Sequence, residues 1–126
     1  MKRFLLFCTT LFIMASFTIS GGISDIVTAL KSGNASQVAR YFDNTVEITL
    51  PEKSNSYSKS QAELVLRDFF NNNAIKGFSV IHQGENAGSQ YCIGTLVTQY
   101  ASYRTTIYMK QKGDKQTLQE IRFETR

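Results

Sequence analysis

The sequence predicts an α+β fold, with three N-terminal helices packed on a curved, mainly antiparallel sheet. Three observations carry that expectation. The first is a hairpin pattern, Gln90–Tyr100 and Arg104–Gln111 around Ala101-Ser102-Tyr103, rich in the β-branched and aromatic residues that suit a half-buried pleated surface. The second is that helical periodicity lies ahead of this hairpin, where the segments can cover one of its faces. The third is another alternating run after it, Thr117–Thr125, which extends the same sheet.

Taken in order, Met1–Ser20 has the pattern of a secretory signal peptide. Lys2 and Arg3 precede an almost unbroken apolar run from Phe4 to Phe17, and Thr18-Ile19-Ser20 offers small residues before a cut near Ser20–Gly21. The run is shorter than the ~20 apolar residues of a spanning helix, so no stable membrane anchor is expected after cleavage. Cys8 follows Leu6 and Phe7 rather than small residues, which argues against a lipoprotein. Residues 21–126 are then expected to form one domain, exported to the periplasm or the extracellular space.

Ser24–Ser32 reads as the first helix, capped by Ser24, with Ile23, Ile26, Val27 and Leu30 on one stripe and Gly33-Asn34 as its stop. Ser36 is expected to cap a second, shorter helix with Val38, Tyr41 and Phe42 inward. A strand follows over Thr45–Leu50, its Val46, Ile48 and Leu50 alternating with Glu47 and Thr49, and Pro51 ends it. Glu52–Ser58 reads as a polar loop. Ser60 and Glu63 form a capping box for the third helix, whose Ala62, Val65, Leu66, Phe69 and Phe70 recur at helical spacing. The next strand, Gly77–Gln83, places Phe78 and Val80 on one side, and Gly84–Ser89 reads as a turn. In the last strand Ile121 and Phe123 point inward.

Charge and composition exclude several function classes. The formal net charge is +4, part of it from Lys2 and Arg3, and the remaining basic residues are scattered. No basic stripe with interleaved aromatics marks a nucleic-acid groove, and Lys110, Lys112 and Lys115 surround the turn at Gly113-Asp114. Without the leader, Cys92 is the one cysteine and His82 the one histidine. That leaves no internal disulfide, too few soft ligands for zinc and no cofactor motif. Cys92 sits in an apolar strand and reads as a small buried hydrophobe.

Two passages carry a resemblance. One is Ile26-Val27-Thr28-Ala29-Leu30-Lys31-Ser32-Gly33-Asn34 followed by Val38-Ala39-Arg40-Tyr41-Phe42-Asp43-Asn44-Thr45-Val46; the other is Gln90–Leu96 with Tyr103–Tyr108. With Ser60-Gln61-Ala62-Glu63 and Phe69-Phe70, the chain resembles the nuclear transport factor 2-like, or cystatin-like, superfamily. Within it, the chain looks like a family of small exported bacterial proteins of unknown function. The resemblance implies a cone-shaped α+β domain. It also allows a check of the isomerase-type members, which use a tyrosine and two aspartates. Their positions fall here on Ile26, Ile48 and Ile107, which cannot move a proton or donate a hydrogen bond. The dehydratase-type members use a His–Asp pair, which His82 alone does not supply.

The resulting expectation is a non-catalytic domain that binds a small apolar ligand or a protein partner. The candidate lining is Tyr41, Phe69, Phe78, Tyr91 and Met109. A homodimer through the open sheet face is expected from Tyr100, Tyr103 and Tyr108, which would otherwise be exposed aromatics. The alternative is a small hydrolase- or isomerase-like enzyme that uses a pocket carboxylate, with Glu47, Glu85, His82 and Arg104 as its polar groups.

Overall fold

The structure is a computed structural model and describes residues 22–126; the expected leader, Met1–Ser20, lies outside the described residues. The chain runs α1 (Ile23–Ser32), α2 (Ala35–Ala39), β1 (Phe42–Leu50), β2 (Lys53–Ser58), α3 (Lys59–Asn72), β3 (Ile75–Asn86), β4 (Ser89–Thr98), β5 (Ser102–Lys112) and β6 (Lys115–Thr125). The six strands form one curved sheet in the order β2-β1-β6-β5-β4-β3. β1 runs parallel to β6, and the other neighbouring pairs are antiparallel. The helices cover the inner face, and the outer face carries no helix among the described residues. This is the α+β architecture that the sequence predicts.

Strand alternation builds the core. Val46 and Ile48 of β1, Ile121 and Phe123 of β6, Ile107 and Met109 of β5, and Cys92 and Leu96 of β4 are all buried on the inner face. Leu66, Phe69 and Phe70 of α3 cover them. The Phe69 ring lies 4.6 Å from Phe123 and 5.5 Å from Tyr103, close enough for tilted and edge-on aromatic contacts. Gly94 is needed where Phe78 crosses β4, because a Cβ there would stand 2.4 Å from the Phe78 ring.

Several local expectations are corrected. The segment read as a polar loop is β2, a strand whose side chains are almost all exposed. It has no apolar alternation to read, and its ladder with β1 comes from the tight turn at Pro51-Glu52, where proline presets the backbone. The helix caps also shift. Ser58 rather than Ser60 caps α3, its hydroxyl accepting from the Gln61 N–H at 3.4 Å, while Glu63 pairs with Arg67 at 2.7 Å. Asn34, not Ser36, caps α2 through the Gln37 N–H. Gly22, not Ser24, occupies the cap position of α1. Gly33 ends α1 as expected, in the left-handed conformation that glycine adopts without strain.

β3 is longer than its pattern suggests, running to Asn86, with a tight turn at Ala87-Gly88. A bulge at Ile81 interrupts its pairing with β4. Tyr103, expected on the open face, instead points inward and donates to Asn73 Oδ1 at 3.2 Å. Its register partner is Leu96, a core residue, so strand parity turns it in.

Candidate functional site

The inner face is filled at one end and open at the other. Under α3 the strands supply large apolar side chains. Under α1, at the β3–β4 end, the composition changes. Phe78 is the last core residue of β3; beyond the bulge the inward positions are Gln83 and Glu85, the register partners of Cys92 and Gln90. Polar side chains cannot continue an apolar core without partners, so the helix and the sheet part here into a groove of about 580 Å³. Ile23 and Val27 of α1 and Val80 of β3 form its apolar walls, and Lys31, Gln83 and Glu85 stand at its polar margin. Val80 lies on the same side of its strand as Phe78, as expected, and is 41% exposed in this groove.

The structure does not gather the five expected lining residues at one place. Phe69, Phe78 and Met109 are buried in the packed core. Tyr41 is half-buried, and its hydroxyl donates to the Asp25 carboxylate on α1; burial first, then this hydrogen bond, raises its pKa. Tyr91 borders the groove. Its ring rests over Gly84, where a Cβ would come within 2.7 Å, and its hydroxyl lies 2.8 Å from His82 Nε2. The groove residues without a site role in the sequence are Ile23 and Val27, which lie on the apolar stripe of the first helix, and Lys31, Gln83 and Gln90. The bulge at Ile81 brings Gln83 and Glu85 to the face of Phe78, which strict alternation along the strand does not do.

The polar groups of the enzymatic alternative are dispersed. Glu47 is exposed on the outer face, directly opposite Glu120 in the β1–β6 register. The hydrogen bond between these carboxyls, then their mutual repulsion, raises the pKa of Glu47, while Arg122 pairs with Glu120 at 2.7 Å. His82 sits across Tyr91, Arg104 is opposite Glu124, and Glu85 stands at the groove margin. Ile26, Ile48 and Ile107 are fully packed, at 0%, 1% and 0% exposure. Burial pushes the Cys92 thiol pKa up, away from the thiolate that nucleophilic chemistry needs. Among the described residues, no three His, Cys, Asp or Glu side chains converge to hold a metal.

A second polar network lies at the far end of the sheet. Asp43 accepts from Lys112 and from Gln119 Nε2 at 2.9 Å. The Lys112 hydrogen bond, then that of Gln119, holds the Asp43 carboxyl well down, at about 2. This network ties β1 to the β5–β6 turn.

Helices over a curved, open, mixed six-stranded sheet make a nuclear transport factor 2-like fold. Within that class, the chain matches DUF4783, a domain of unknown function, over residues 23–124 and belongs to that family. It is similar to the crystal structure of a DUF4783 family protein from Bacteroides uniformis, at 26% identity and a TM-score of 0.81, covering 84% of this chain and 98% of that one. A DUF4783 family protein from Bacteroides fragilis is 29% identical at a TM-score of 0.78, over 84% of this chain and 100% of that one. A nuclear transport factor 2-like protein of unknown function from Cytophaga hutchinsonii shares the fold at 8% identity and a TM-score of 0.59, over 82% of this chain and 86% of that one. No curated protein matches the sequence.

Proposed function

We propose that this is an exported, non-catalytic binding domain whose site is the groove between α1 and the β3–β4 end of the sheet. The observation that carries the reading is the composition of that groove: apolar walls from Ile23, Val27 and Val80 beside a margin that holds one cation, Lys31, and one anion, Glu85. Small-molecule sites combine apolar area with a few placed polar groups. The ligand class is therefore a small amphipathic molecule with an apolar body and one polar or charged head. The packed isoleucines at the positions of the isomerase machinery, and the dispersal of Glu47, His82 and Arg104, support binding over catalysis. The Met1–Ser20 pattern supports export.

Native mass spectrometry of the protein purified from the cells that make it tests the reading. A retained small molecule is expected on the wild type and absent from Val80→Trp, whose ring fills the groove. A retained mass that survives Val80→Trp places the ligand elsewhere. A clean apo mass at every stage of purification overturns the small-ligand reading in favour of a protein partner.

A further inference from the structure

The two edges of the sheet differ. β2 is six residues long, polar apart from Tyr57 and begins with Lys53, which is how natural sheets blunt an edge. β3 is 12 residues long, and among the described residues it pairs only with β4. At its centre Val80 and Ile81 are 41% and 58% exposed. A long edge with exposed aliphatic residues invites another strand.

The bulge at Ile81 restricts which strand fits. Residues facing each other across an antiparallel pair must lie on the same face of the sheet. On the Ile75 side of the bulge, Phe78 and Val80 face the helices; beyond it, Gln83 and Glu85 do. Ser79 and His82, opposite Thr95 and Ile93, face outward. A regular strand laid along β3 loses this agreement at the bulge. A second β3, which carries the same bulge, keeps it when the two-fold axis passes between Val80 and Ile81. Ser79 then faces the second copy's His82, Phe78 its Gln83, and Gly77 its Gly84, each pair on one face. Moving the axis onto a residue, for example Val80, sets inward Phe78 against outward His82 and breaks the match.

The same register brings Lys76, the extra residue where the β3–β4 pairing also shifts between Ile75 and Gly77, beside the second copy's Glu85, and the two-fold axis repeats this pair. Both side chains are exposed in the single chain. From this match of faces and charges we infer that two copies of the chain associate edge to edge through antiparallel β3 strands centred between Val80 and Ile81. The contact is isologous, so it closes at two copies. It joins the two sheets into one of twelve strands, with the α1 helices of both copies on the same side.

A charge swap tests the register directly. Sedimentation of the full chain, expressed with its own leader, is measured from micromolar to millimolar concentration. Wild type is expected to dimerise. Lys76→Glu and Glu85→Lys, each opposing like charges twice, should each weaken the dimer about tenfold. The double variant K76E/E85K should return it to wild-type strength. Circular dichroism confirms that each variant is folded. A double variant as weak as the singles, or a wild type that stays monomeric at millimolar concentration, overturns the inference. Dimerisation abolished by Tyr108→Glu but unchanged by both charge reversals moves the contact to the outer face and also overturns it.

Discussion

The α3 end and the α1 end of the inner face use the same strands for different ends. Under α3, Phe69, Phe70, Tyr103 and Phe123 interlock into an aromatic cluster. Under α1, the inner face passes from Phe78 to Gln83 and Glu85, and the helix stands off over a groove. The aromatic packing is concentrated at the first end, while the second exposes aliphatic and charged side chains together. A fold that filled its cone uniformly would leave no room for a ligand. This one fills the inner face under α3 and opens at the β3–β4 end.

The largest expected effect tests the filled end. Phe123→Ala should lower stability by about 3–5 kcal/mol, because the cavity cannot collapse within an interlocked cluster. Val27→Ala, at the half-buried groove wall, should cost less than ~1 kcal/mol. Urea unfolding of both variants decides; similar losses would break the contrast between the two ends. Next comes Gly94→Ala, whose added methyl meets the Phe78 ring and the Ser79 carbonyl. A loss of about 1–3 kcal/mol is expected, and Phe78→Leu in the same chain should recover part of it.

Smaller effects come from the charges of the outer sheet. The Asp43 carboxyl titrates lower in the folded protein, at about 2, than in an unfolded chain, near 3.9. Its contribution is therefore complete above pH ~4 and is lost as pH falls from there towards ~2. Asp43→Asn should cost on the order of 1 kcal/mol at neutral pH, since the Lys112 partner is solvent-exposed. The gap from wild type should close in acid. Glu47 has the opposite sign. Its pKa is raised by Glu120, so the ionised pair destabilises the fold above the unfolded value of about 4.3. Glu47→Gln should stabilise by a few tenths of a kcal/mol at pH 7, and the gain should disappear below pH ~4. Thermal melts across pH read both.

Much of this architecture was legible because periodicity reports burial. Ile26, Leu30, Leu66, Phe69, Phe70, Ile121 and Phe123 all fall inward as their spacing implies. What escaped has a physical reason in each case. β2 has no apolar face, because its partner strand and a proline turn hold it in the sheet. The caps at Ser58 and Asn34 lie within a few residues of other acceptable caps, and only the backbone decides among them. The groove was hidden by the bulge at Ile81, which shifts the parity of β3, so that simple alternation from Phe78 and Val80 turns Gln83 outward. The five expected lining residues do not gather because Phe69, Phe78 and Met109 are used up in the core, Tyr41 is tied to Asp25 on α1, and Tyr91 lies over Gly84.

The proposed ligand site is the α1–β3 groove. The most direct measurement is a two-dimensional amide NMR titration of the protein with a medium-chain fatty acid, a probe with one apolar body and one charged head. Shifts concentrated at Ile23, Val27, Thr28, Lys31, Val80 and Gln83, and absent from Phe123 and Thr106, are the result expected here. Shifts confined to the outer face around Tyr108 and Ile93, or none at saturating probe, would contradict the claim.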